Sequence, residues 1–452
     1  MNRRSRIPKP LRHLFWWLFA LLLAWSGMIL SGLLPRIDAK QRAALDLLRA
    51  PYERARGEHN AFELLWLLPR NVPETERDSV FAADMAALDA LAATGVEPVL
   101  ASARYPRHVE DSSPQLGACG RKPGCLAAVR ADAGGVRAAL AERAPLLAGL
   151  DQVWTYDHLR TPHRPSFAAP LPQYQQGANL QLARAALRQV DGDPVGALTG
   201  LCRDLSGWRR LKGRSDSLVF EMVLLSWLQG GVQLAADLRA ETPPGTPLPA
   251  ECAAALAPIA EIERMSCDVY RAEFQGMADL MEPQRMFASG SRPSLLDRAR
   301  VLGARFVYSP GATRALYATH LARACAALAA PPAAAPMSPP ACDLEGRVFN
   351  PLGCTLAEIG MADYDRYRLR EHDVDALLAT FALGEWLVTE PDAAAALASR
   401  PQRFTALPVT LAADGHGLRL ARREPVRDDP PELALPLPGS RVAAIVAPEP
   451  AP

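Results

Sequence analysis

Apolar positions along this chain follow three rhythms: one unbroken run, many three- and four-residue spacings, and one short alternation. The run comes first. From Leu14 to Leu34, 21 consecutive positions are uncharged and mostly apolar, behind Arg3, Arg4, Arg6, Lys9 and Arg12. About 20 apolar residues carry a helix across a bilayer core, and a basic flank is held on the cytoplasmic side. The pattern predicts a signal anchor over 14–34, a cytoplasmic basic segment over 1–13, and the remainder on the far side of the membrane. A cleaved secretory signal has an apolar region of about 7–15 residues and ends at small side chains. This stretch is longer and closes on Leu33 and Leu34. Trp16 and Trp17 suit the membrane interface, whereas Trp25 falls deeper. Gly27 and Ser31, four apart, leave room for a second copy, so a homodimer through the transmembrane helix is one expectation.

Helical spacing dominates the rest. Asn60 to Glu63 reads as a capping arrangement before a short apolar helix ending near Pro69. Val80, Phe81, Met85, Leu88 and Leu91 predict a second helix closed by Gly95. Leu180, Leu182, Ala183, Ala186, Leu187 and Val190 lead into Asp191-Gly192-Asp193-Pro194, where Asp193 can cap a new helix and Pro194 suits its first position. Ala197, Leu198, Leu201 and Leu205 continue it, which makes a helical hairpin. Leu218 to Leu238 is nearly as apolar as the anchor but carries Glu221, Gln229, Gln233 and Asp237. Ionisable groups are costly in lipid, so this segment is predicted to be a buried core helix. Helices are expected from Ala250 to Met281, Leu295 to Ala329 and Asp363 to Thr389.

The alternation is Val409, Leu411, Leu418 and Leu420 around Asp414-Gly415-His416-Gly417, which predicts a β-hairpin. Prolines between 331 and 341 read as an extended linker, and the Pro-rich stretch 426–452 as a poorly ordered tail. The expected organisation is a helical domain over 35–330, a linker over 331–341 and a small α+β unit over 342–425. Its fold class is mostly α, with a transmembrane helix, a helical-hairpin body and a β-hairpin near the carboxy terminus.

Composition adds a location. The first 13 residues hold five basic and no acidic side chains, leaving 45 basic against 49 acidic in the remainder, a net of −4. A slightly acidic body has no nucleic-acid footprint. Only four basic residues are Lys, and Ala, Arg and Pro abound, a composition that suggests a G+C-rich bacterial genome. None of the five Asn residues lies in a glycosylation sequon. Together these predict a bacterial inner-membrane protein with a periplasmic body.

All eight cysteines follow the apolar run, on the side expected to be oxidising. Cys119 with Cys125 and Cys342 with Cys354 bracket short turn-rich loops and are the leading disulfide candidates. Cys252 with Cys267 is a third. The alternative for Cys202, Cys252, Cys267 and Cys325 is that they are small buried side chains. No Cys/His spacing suits zinc, so neither a metal nor a cofactor is expected.

Two clusters carry candidate chemistry. Asp157, His158 and His163 place a carboxylate and two imidazoles within seven residues, enough for acid–base work or a metal. Prolines at 162, 165, 170 and 172 favour an irregular structural loop instead. Glu371, His372 and Asp375 fall on a predicted helix, where Glu371 and Asp375 share a face. A solvated charged face, supported by pairs such as Asp363–Arg366 and Asp365–Arg368, accounts for them. Cys202 near Asp204 lacks a nearby His and reads as structural. Nucleophile-elbow, Ser-x-x-Lys, zincin and phosphate-loop signatures are absent from the sequence. The leading expectation is a non-enzymatic envelope protein that binds a protein partner. The rival is a tethered hydrolase of cell-wall or lipid material using Asp157, His158 and His163.

Overall fold

A computed structural model describes residues 9–30, 35–51, 59–94, 97–108, 114–120, 123–166, 169–172, 177–287, 294–330, 342–360, 363–404, 408–424 and 431–442. It is 66% helical with one three-stranded antiparallel sheet. The longer helices are α1 (Lys9–Leu30), α2 (Ala39–Arg49), α3 (Arg77–Thr94), α4 (Gly177–Val190), α5 (Pro194–Lys212), α6 (Leu218–Ala240), α7 (Cys267–Leu280), α8 (Pro310–Ala327) and α9 (Tyr364–Leu387). The strands are β1 (Val409–Leu411), β2 (Gly417–Ala421) and β3 (Glu432–Pro436).

The expected hairpin of helices forms where the sequence placed it. The α4–α5 turn passes through Gly192 at φ 86°, a conformation that costs little only without a Cβ. Asp193 then accepts from the Gly196 amide at 2.8 Å, with Pro194 in the first turn of α5. Against this hairpin lies α6, the spine of the fold, buried around its whole circumference from Trp227 to Ala240. Among the described residues it is long and apolar enough to cross a membrane, yet 83% of its most apolar stretch is buried inside the protein. It is a core helix. Gly230 makes this packing possible, because a Cβ there would sit 2.2 Å from the carbonyl oxygen of Gly120 in the Cys119–Cys125 loop.

Two apolar cores result. The larger joins α3 to α6, the inward face of α9 and the sheet, with Trp208 and Trp227 edge to face at 4.4 Å near its centre. The smaller joins α2, α7 and α8 with Tyr364. Residues from 363 to 437 therefore contribute to both cores. Leu418, Leu420, Leu433 and Leu435 point inward from β2 and β3 while the alternate residues face out. The predicted hairpin pairs Val409 with Leu420 and Leu411 with Leu418.

Four expectations need correction. Glu432–Pro436 is an ordered strand paired with β2, so part of the stretch read as a loose tail is structured; its prolines stand at the strand's borders, where no ladder donor is lost. The helix expected over 250–281 is broken after Ala255 and restarts at Cys267, with Pro258 in the interruption. That expected over 295–329 breaks before Pro310, where Ser309 caps α8. The third correction follows from these breaks: Cys252 bonds to Cys202 and Cys267 to Cys325, so Cys252 and Cys267 do not pair with each other. The same bonds replace the reading of Cys202, Cys252, Cys267 and Cys325 as free buried side chains. Cys119–Cys125 and Cys342–Cys354 form as expected. The fourth concerns Glu371 and its neighbours, described below. Residues 331–341, Gly95 and Ser31, all used in the sequence reading, lie outside the described residues.

Candidate functional site

The loop carrying Asp157, His158 and His163 is held by backbone and by groups outside the trio. Asn60 donates to the Arg160 carbonyl at 2.8 Å and accepts from the Arg160 amide at 3.1 Å. Asp216 accepts from the Thr161 amide at 3.0 Å, and Arg160 reaches Asp268 at 3.1 Å. Asp157 is half exposed and lies 4.0 Å from His59, while His163 is buried edge-on against Phe62 with Nδ1 at 2.8 Å from the Arg164 carbonyl. Burial, followed by Arg160, lowers the His158 imidazole below its usual range. Among the described residues, no group of three His, Cys, Asp or Glu side chains is placed to hold a metal. Asn60, Arg160, Asp216 and Asp268 thus tie the loop to its neighbours.

The α9 cluster is buried where a solvated face was expected. Glu371 and Asp373 are almost inaccessible. Asp375 accepts from the Ile259 amide at 2.7 Å and from Arg264 at 2.8 Å; Asp373 accepts the Arg423 and Glu424 amides, each at 2.9 Å. The carboxylates thus satisfy loop amides that have no ladder partner, a role invisible to helical spacing. Asp365 and Arg368 do approach, at 3.3 Å, but as a buried pair, while Arg366 lies 3.9 Å from Glu424.

Glu371 also belongs to a group that sequence reasoning missed. Lys212, from the end of α5, buries its ammonium between Glu371 and Glu221 of α6. Its Nζ donates to Glu371 and to the Glu263 carbonyl at 2.7 Å, and lies 3.3 Å from Glu221 Oε2. Burial alone would discharge the lysine, but the two carboxylates outweigh it and hold its pKa above the ordinary value. One cation cannot neutralise two ionised carboxylates in a dry interior. Glu371 takes the Lys212 bond and the Met265 amide at 2.9 Å, whereas neither oxygen of Glu221 has a well-aligned hydrogen bond. Burial, with Glu371 adding to it and Lys212 opposing, pushes Glu221 up to about 8. The cluster is closed to substrate and joins α5, α6 and α9 as a structural lock. Its one signal in the sequence was a Glu within the otherwise apolar start of α6.

The open feature is elsewhere. A groove of about 920 Å³ runs between β3 and the face of α6 carrying Gln229, Gln233 and Asp237, residues spaced by four. That volume falls within the usual range for ligand sites. Gln233 lines it, nearly fully buried, and its Oε1 has no hydrogen-bond donor. β2 and the β1–β2 turn also line the groove, through Asp414, Gly417 and Arg419, and β3 is the edge strand of the sheet. Arg422 N bonds to the Pro431 carbonyl and Leu437 N to the His416 carbonyl, which fixes the register so that Leu433 and Leu435 turn their backbone groups toward β2. Glu432 and Ala434 therefore present N–H and C=O outward, and Pro436 a C=O. Two ion pairs border the groove, Asp237 with Arg441 at 2.8 Å and Glu432 with Arg419 at 3.6 Å.

No family model, curated protein or solved structure matches the chain, so its function rests on this geometry.

Proposed function

We propose that this chain is a membrane-tethered, non-enzymatic binding component of a bacterial cell envelope, and that its groove takes an extended segment of a partner protein. The carrying observation is the outer edge of β3, which has no backbone partner among the described residues. Outward donors and acceptors at Glu432 and Ala434 repeat at the two-residue period of a strand, which is the spacing another extended backbone matches. Because Asp237 and Glu432 already have counter-charges, a segment that enters beside them without stranding them carries uncharged side chains at the paired positions.

The location belongs to the same reading. In α1, Leu14, Phe15, Trp16, Trp17, Leu18, Phe19, Leu21 and Leu23 are all exposed, an apolar surface that a bilayer covers and water does not favour. Four disulfides bracing the body support an oxidising compartment, here the periplasm. The hydrolase alternative gains no support from a metal-holding group, since none is placed among the described residues.

A photo-crosslinking amino acid placed at Ala434 in the full chain, in its native envelope, tests the proposal. The expected product is one stoichiometric partner joined through an extended segment, and it should vanish when Ala434→Pro is combined with a crosslinker at the neighbouring Glu432. Proline removes the outward donor at an edge where it is tolerated. No product, a product indifferent to Ala434→Pro, or a bond to residues 443–452 of the same chain overturns it.

A further inference from the structure

Half of the large exposed apolar side chains outside α1 lie in two stretches, 295–307 and 344–359. Leu295, Leu296, Leu302 and Val307 belong to the helix Leu295–Ala304 and the turn after it, and Leu344, Val348 and Ile359 to the helices Leu344–Phe349 and Pro351–Gly360. Leu295, Leu344 and Ile359 are each more than three-quarters exposed. Single exposed apolar residues need no explanation, but a grouped set does.

Two contacts place this set beside the second half of α1 and the segment that follows it. Trp25 of α1 lies 6.2 Å from the ring of Phe306, four residues beyond Leu302. The Arg36 amide, just after the apolar run, donates to Glu345 at 2.6 Å. Leu295, Ala299, Leu302 and Phe306 also recur at helical spacing, so one face of this segment is apolar and ends against α1. Exposed Arg298 and Arg305 border that face and exposed Arg300 lies away from it. An amphipathic helix with arginines beside its apolar face is the form that lies in a bilayer interface, apolar side about 5–10 Å deep and cations among the headgroups.

We infer that residues 295–307 and 344–359 form a membrane-seated foot, resting in the outer interface of the bilayer that α1 crosses. The inference rests on the anchor reading of α1. The foot adds a second attachment, so the body is held against the lipid at a fixed face and its groove has a fixed orientation. Cys342–Cys354 keeps the Leu344–Phe349 and Pro351–Gly360 helices together, so both sides of the foot are presented as one surface.

The test uses the full chain in vesicles of phosphatidylethanolamine and phosphatidylglycerol. Every described cysteine is in a disulfide, so an introduced thiol is the sole site for an environment-sensitive label. Labels at Leu302→Cys and Ile359→Cys should lose emission when bromine-bearing lipid is included, and a label at the distant exposed Val195→Cys should not. Flotation of each variant with the vesicles reports the anchor separately. Flotation with equal, unquenched emission at all three sites overturns the foot while leaving the anchor intact. Loss of flotation overturns both.

Discussion

Replacing Glu221 by Gln should flatten the pH dependence of stability above pH 6. In the folded protein Glu221 shares one ammonium with Glu371, has no well-aligned hydrogen bond, and titrates near 8 instead of near 4.5. Its raised pKa contributes stability that is fully present below about 4.5 and is lost as pH rises toward about 8. In that window the unfolded chain has released a proton that the folded chain keeps, so stability falls by about 1.4 kcal/mol per pH unit from this group. Between about pH 6 and 7.5 the loss is roughly 2 kcal/mol. Gln keeps the shape of the protonated acid and cannot ionise, so the variant should lack this slope and overtake the parent near neutrality. Asp204 and Asp216, both raised to about 6 by burial, and the lowered His158 and His372 titrate alike in the two proteins and cancel in the comparison. Urea titrations of both full chains in detergent, followed by the fluorescence of buried Trp208 and Trp227, measure it. Parallel pH profiles would refute the argument, because Glu221 would then be ionised in the folded state.

Other expectations follow from the same packing. Lys212→Met leaves Glu371 buried without its cation and should cost about 3–5 kcal/mol by the same titration, with part regained in the double variant Lys212→Met/Glu371→Gln. Serine pairs in place of Cys202–Cys252 should lower stability by about 4 kcal/mol and in place of Cys119–Cys125 by about 2 kcal/mol, since loop-closure entropy grows with the residues enclosed, 50 against 6. Asp193→Ala removes the cap of α5 and should cost about 1 kcal/mol in thermal or urea unfolding.

Local signals were legible wherever neighbouring residues decide structure. Asp193-Pro194 fixed a helix start, and the alternation through Val409 and Leu420 located the β1–β2 hairpin, because capping and strand period are short-range. The two tight disulfides were readable for the same reason. Cys202–Cys252 and Cys267–Cys325 were not, because their partners meet only after α5, α6 and α8 pack. The α9 carboxylates show the same limit: helical spacing places Glu371 and Asp375 on one face, but not whether that face meets water or the loop at Ile259. The groove was less legible still. Gln229, Gln233 and Asp237 could be read as the polar side of a core helix, whereas their position beside the sheet depends on β3, in a stretch whose prolines masked its pairing.

Thiol labelling of Val195→Cys in cells with a permeabilised outer membrane tests the central claim of a tethered, oxidised body outside the inner membrane. The account predicts that a membrane-impermeant maleimide labels this one introduced thiol in unlysed cells, that the labelled chain sediments with membranes, and that the eight native cysteines stay unlabelled. Labelling that requires lysis, or native thiols that react, would contradict it.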